Sequence, residues 1–267
     1  MKEYKKEGLL VKATNINLHY DDRQILRDVN FEIYDVVREG MVQGQVVSLI
    51  GRSGIGKTQL FKVLAGLITP DSGTVTIGHD QRPVRAGEVG VVPQNYILFN
   101  HRTIYGNLRI GLNNCGKKVS DKEAKEIIED YADKFDLKDH LNKFPAQLSG
   151  GQRQRVSIIQ QVLTGNKYIL LDEPFSGLDP IMRDRVDELL LKIANLDEQN
   201  TLIIVSHDII NTLALSDTAF ILACEPGKPG STITEVIDLM AMGYAWNPDI
   251  KTDHGFQDLV NDIKNKI

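Results

Sequence analysis

Between Gly51 and Thr58 the chain reads Gly51-Arg52-Ser53-Gly54-Ile55-Gly56-Lys57-Thr58, directly after the apolar run Val46-Val47-Ser48-Leu49-Ile50. This is a glycine-rich loop leaving a buried strand, and Gln59-Leu60-Phe61-Lys62-Val63-Leu64 behind it can open a helix. Such a loop turns several backbone N–H groups toward one concavity, and the helix N-terminus adds partial positive charge. Lys57 brings a full charge to the β- and γ-phosphates of a ligand held there, and the Thr58 hydroxyl can hold Mg²⁺. Strand, loop and helix in this order predict a nucleoside triphosphate site.

Bulk properties narrow the setting. With 267 residues, 42% of them hydrophobic, the chain can bury one large core or two modest ones. Its 31 basic and 36 acidic residues give a formal net charge of −5, which argues against a nucleic-acid partner. No apolar stretch approaches the roughly 18 residues needed to span a bilayer, and Met1 to Glu7 is too polar for a secretory signal. Cys115 and Cys224 lack partner spacing and read as incidental thiols of a reducing cytosol, not as a metal site or disulfide framework.

The first 90 residues alternate apolar and polar positions in short strands. Val29, Phe31 and Ile33 share one face, as do Val75 and Ile77 after the turn Pro70-Asp71-Ser72-Gly73. Val89 to Val92 is a further short strand stopped by Pro93. From Thr103 to about Leu163 the pattern is helical, with Ala124, Ile127, Ile128 and Tyr131 at helical spacing behind a capping box of Ser120 and Glu123. Strands return at Tyr168 to Leu171, Leu202 to Val205 and Ala219 to Ala223, separated by helices over Ile181 to Ala194 and Ile209 to Leu215. Apolar strands alternating with helices predict an α/β fold with a parallel sheet covered on both faces, the helical middle being an insertion. The tail from Pro226 reads as an irregular extension ending in a short amphipathic helix. At about 40 residues it is too short for a regulatory domain.

Tyr168-Ile169-Leu170-Leu171-Asp172-Glu173-Pro174 puts two acids where a core strand ends. A triphosphate hydrolase needs a carboxylate there. Asp172 would bind Mg²⁺ through water, and Glu173, one residue further out, would polarise the attacking water as general base. Leu148-Ser149-Gly150-Gly151-Gln152 is the second decisive segment. Ser149 and Gln152 stand in capping-box spacing, but a capping box does not need two glycines, which weaken a helix start and admit a close ligand. A second anion-binding helix end follows. One chain has one phosphate loop to occupy, so this end faces a nucleotide held by another copy.

With those three segments in order, the chain resembles the ATP-binding subunit of an ABC transporter, from about Leu9 to Cys224. The family's phosphate loop matches Gly51 to Thr58, its acidic strand Tyr168 to Pro174, and its Leu-Ser-Gly-Gly-Gln signature Leu148 to Gln152. The resemblance implies a P-loop NTPase core with a parallel sheet, an N-terminal antiparallel β subdomain and an inserted helical subdomain at about 95–163. It implies an ATPase domain over 1–225 and a C-terminal extension over 226–267. Tyr20 falls where the family stacks an aromatic ring on adenine. Gln94 matches the glutamine that touches Mg²⁺ and the attacking water, and Asn95 to Phe99 after it fit the region coupled to a transmembrane partner. Ser176-Gly177-Leu178-Asp179 matches the loop through which two subunits communicate, and His207 the switch histidine on the γ-phosphate.

What the resemblance implies is a head-to-tail homodimer, or a pair with a related cassette, that sandwiches two Mg-ATP molecules and hydrolyses them. It would lie peripherally at the cytoplasmic face of the cell membrane against permease subunits, with a solute-binding protein as a further partner, and would serve most simply as an importer. The alternative is a soluble ATPase of the same family that clamps a non-transport complex, as in iron–sulfur assembly. Two departures stand out: Gln59 occupies the place of a second hydroxyl residue, and Tyr34 to Gln45 is longer than the usual turn between its strands.

Overall fold

The apolar run before the phosphate loop becomes β3 (Gln45–Ile50), buried along its whole length at the heart of a mixed sheet. The structure is a computed structural model and describes residues 4–38, 43–247 and 249–267. On one side of β3 lie β8 (Thr201–Ser206), β7 (Tyr168–Asp172) and β6 (Gly90–Val92), all parallel to it, and on the other lies parallel β9 (Thr218–Cys224). A largely antiparallel part, in which only β10 and β2 run parallel, continues the sheet through β10 (Ser231–Asp238), β2 (Arg23–Arg38), β1 (Tyr4–Tyr20), β4 (Ser72–Ile77) and β5 (Arg82–Pro83). The parallel core and the antiparallel N-terminal sheet agree with the sequence reading.

Both faces are covered because alternate strand residues point opposite ways. In β7, Ile169 and Leu171 join a cluster with Leu108, Ile128, Ile158 and Phe175, whereas Leu170 joins one with Leu60, Leu64 and Phe220. The first cluster is filled by α2 (Ile104–Asn113), α3 (Asp121–Lys134), α4 (Gly150–Val162) and α5 (Pro180–Ala194), and the second by α1 (Lys57–Leu64). Between β6 and β7 the chain thus runs through a helical insertion, as expected. Ser120 caps α3 by accepting from the Glu123 N–H at 3.3 Å, and Ser149 and Gln152 form a complete reciprocal box at the start of α4.

Two expectations need correcting. Tyr34 to Gln45 is not a long turn: its first part extends β2, with Val36 opposite Lys6 and Tyr34 opposite Leu9. The partner stretch, Lys5-Lys6-Glu7, is exposed and carries no apolar alternation that would mark a strand. The middle of the segment, 39–42, lies outside the described residues. The tail is not irregular either. β10 pairs antiparallel with β9 over Ser231 to Asp238, and its Ser231 pairs with Leu26 of β2, so the tail joins the two parts of the sheet. Its mixed Ser-Thr-Ile-Thr-Glu-Val pattern follows two prolines and two glycines, which hid the strand. The closing helix is as expected: α7 (His254–Lys266) buries Phe256, Val260 and Ile263 against Ile50, Ile221 and α6 (Ile209–Leu215).

Lys251, just ahead of α7, fastens the tail to α5. Its Nζ lies 2.7 Å from Asp187 Oδ2 and 3.5 Å from Asp184 Oδ1. Burial pushes the Asp187 carboxyl up to about 6, helped by Asp184 and Asp208 and opposed by Lys251. A carboxyl whose folded pKa is raised holds its proton more tightly when folded. Its contribution is therefore complete below its unfolded pKa near 4 and is lost as pH rises through 6. Melting curves of the parent and of Asp187→Asn from pH 4 to 7 should diverge, the parent losing roughly 5 °C relative to the variant. Parallel curves would remove burial of this carboxyl as a factor.

Candidate active site

The phosphate loop is built around the lysine it carries. Gly51 leaves β3 so close to β9 that a Cβ there would lie 2.5 Å from the Leu222 carbonyl oxygen. Gly56 caps α1 at φ 109°, and a Cβ there would press on Ile25 at 2.9 Å. The loop therefore closes around Lys57, which is buried and whose Nζ donates to the Gly51 and Arg52 carbonyls at 2.9 Å each. The same ammonium lies 3.4 Å from Glu173 Oε1.

β7 delivers the two acids. Asp172 is partly buried, and burial pushes its carboxyl above the usual value, with Glu173 adding to the shift and Lys57 and a hydrogen bond with Thr58 opposing it. Its Oδ1 is buried without a hydrogen-bond partner. Glu173 leaves the strand at φ 51°, its N–H donating to the Val205 carbonyl at 2.8 Å. Its Oε2 accepts from the Ser206 hydroxyl at 3.1 Å and the His207 backbone N–H at 3.2 Å, and lies 2.8 Å from His207 Nδ1. A carboxylate only accepts, so His207 Nδ1 must carry the hydrogen of that bond.

Tyr20, Ser53, Gly54, Gly56, Lys57, Thr58, Gln94, Glu173 and His207 line one open cleft. Arg23, Ile25 and Gln59 line it too, and the sequence reading gave none of these a role at the site. Gln59 had a signal, its departure from the loop pattern, whereas Arg23 and Ile25 follow Tyr20 across a turn that carries none. Ser149, Gly150, Gly151 and Gln152 do not line the cleft, and neither does Asp179. Ser149 and Gly150 face solvent at the start of α4, and Asp179 caps α5 by accepting from the Met182 N–H at 2.9 Å. Gln94 reaches toward that loop, its Nε2 donating to Ser176 Oγ at 3.0 Å.

Ser231 is the supporting residue that sequence reasoning missed. Fully buried at the start of β10, its hydroxyl lies 2.8 Å from the Ile55 carbonyl of the phosphate loop and 3.0 Å from the Ile25 carbonyl. A tail serine after Gly230 carries no signal for that role.

A sequence model described as ABC transporter matches residues 34–176. The chain belongs to the ABC transporter family. Among relatives, the spermidine/putrescine import ATP-binding protein PotA of Fusobacterium nucleatum is 35% identical over 212 residues, covering 78% of this chain and 53% of that protein. The sulfate/thiosulfate import ATP-binding protein CysA of Pseudomonas putida is 31% identical over 249 residues, covering 89% and 71%. The chain spans about half the length of the PotA relatives it matches. In shape it is similar to cbiO1 from Clostridium perfringens, part of the ABC transporter complex cbiONQ, with a TM-score of 0.72 over 89% of this chain and 92% of that one at 23% identity. The ABC family fold therefore accounts for the sheet, the helical insertion and the cleft. No helix among the described residues is long and apolar enough to cross a membrane.

Replacing Ser231 with alanine removes the one buried hydroxyl hydrogen that the Ile25 and Ile55 carbonyls share and should lower the free energy of unfolding by about 1–2 kcal/mol, read from urea melts. An unchanged midpoint would mean that the hydroxyl does not hold the loop.

Proposed function

We propose that this chain is the ATP-binding and ATP-hydrolysing subunit of an importer. The observation that carries the reading is the meeting of Lys57, Glu173 and His207 in one cleft, with Ser149 and Gly150 exposed elsewhere. The PotA and CysA relatives are named as import ATP-binding proteins, which supports import as the direction. Residues 1–225 form the ATPase unit with its helical part at about 95–163, and 226–267 is an extension that completes the sheet.

The triphosphate would lie along the loop with its β- and γ-phosphates on Lys57 and its base against Tyr20. Phosphate oxygens then compete with Glu173 for the Lys57 charge, freeing Glu173 Oε1 to accept from water. His207 and Ser206 keep Oε2 fixed, so the carboxylate is aimed while its other oxygen works as general base. His207 Nε2 is left on the cleft side for the γ-phosphate. Mg²⁺ fits the residues present, because Asp172 Oδ1 is buried without a partner beside Thr58. Thr58, Asp172 and Gln94 would hold the ion, which would neutralise charge building on the phosphates.

Ser149, Gly150 and Gly151 lie outside the cleft, so they serve a nucleotide held by a second copy, or a related cassette, in a head-to-tail pair. Asp179 faces that same boundary. Closure excludes water and brings the phosphate loop, Glu173, His207 and the second copy's signature segment into line. The pair sits peripherally against permease subunits at the cytoplasmic face of the membrane, with a solute-binding protein as the further partner. Ile97 and Phe99, exposed beside Gln94, form the contact.

Glu173→Gln should keep ATP affinity, release phosphate at least about 100-fold more slowly, and run as a dimer in ATP by light scattering. Hydrolysis at the parent rate would remove Glu173 as the base. Lys57→Ala should weaken ATP binding more than about tenfold in calorimetry, and equal affinity would remove the loop as the phosphate site.

A further inference from the structure

Gln59 takes the place where the phosphate loop carries a second hydroxyl residue, and its side chain is engaged elsewhere. The Tyr20 hydroxyl donates to Gln59 Oε1 at 2.7 Å. The two residues come from opposite walls of the cleft, one from the end of β1 and the other from the first turn of α1. Their anchorage differs. Gln59 is rooted in the helix, its N–H donating to the Gly56 carbonyl at 3.0 Å, whereas Tyr20 is 47% exposed at a strand end that turns at once through Asp21 at φ 51°.

A half-exposed ring that must receive a flat ligand loses rotamer freedom on binding, unless something orders it beforehand. We propose that Gln59 is a positioning residue for the base subsite: it holds the Tyr20 ring in place across the cleft and acts on the base, not on the phosphates. The inference rests on the reading of this cleft as an ATP site. A serine or threonine at position 59 would end two bonds nearer the backbone, and a 2.7 Å contact does not survive that retreat. The departure from the loop pattern is thus tied to the tyrosine opposite.

Calorimetry of the full chain with Mg-ATP and, separately, with magnesium tripolyphosphate tests this, using Gln59→Ala, Gln59→Thr, Tyr20→Phe and the Gln59→Ala/Tyr20→Phe double variant. Each single variant should raise the ATP Kd by roughly three- to tenfold and leave the tripolyphosphate Kd unchanged. The double variant should be no worse than the worse single one, because both remove one bond. Equal losses for both ligands would assign Gln59 to the phosphates, and additive losses or an unchanged ATP Kd would break the link to Tyr20; each overturns the proposal. A parent protein that binds tripolyphosphate as tightly as ATP, or Tyr20→Ala with parent ATP affinity, would instead bring down the underlying assignment of the base to Tyr20. Melting temperatures run alongside exclude misfolding as the cause.

Discussion

One carboxylate gathers the ends of three strands. Glu173 stands at the end of β7, takes Lys57 on one oxygen from the helix behind β3, and takes Ser206 and His207 on the other from the end of β8. It does so at φ 51°, a backbone conformation that costs a non-glycine residue about 1–2 kcal/mol. The strain is held by the Glu173 N–H on Val205 and by the register that sets Asp172 beside Val205 and Ile50 beside Ser206. The position of the acid is therefore a property of the sheet. Buried Lys57 cannot leave its partners cheaply, because an unpaired ammonium in that setting would carry its full desolvation penalty.

A short path leads from the surface to this point. The Pro174 carbonyl, next to Glu173, accepts from Gln154 of the signature helix at 2.9 Å and from the Tyr96 hydroxyl at 3.3 Å. Gln94 holds Ser176 two residues further along. Ile97 and Phe99 lie one and three residues beyond Tyr96, so the exposed stretch is close in sequence to the bond on the backbone beside the acid. Burial pushes the Tyr96 phenol up to about 12, and it stands here as a neutral donor.

The sequence was most readable where structure is local. The loop at Gly51, the acidic end of β7 and the capping box at Ser149 each hold their meaning within a few residues, and all took the expected form. What escaped depends on distant partners. Tyr34 to Arg38 is a strand because Tyr4 to Leu9 lies beside it, and much of that stretch is polar and exposed. β10 is a strand because β9 and β2 leave a gap for it. Ser231, Arg23 and Ile25 belong to the site only through packing, for which single-residue chemistry has no mark. Gln59 is the intermediate case: the sequence showed that it was odd, and only the fold showed which tyrosine it meets.

The prop beneath the phosphate loop arrives late in synthesis. Ile55 and Ser231 are 176 residues apart, so a ribosome exposes the whole glycine-rich motif long before its support exists. β3 finds its own neighbours, β8 and β9, only beyond residue 200, and the loop stays unbraced until β10 slots between β9 and β2. Bracing of the loop is then a late event in biogenesis, set by the end of the chain and not by the motif itself.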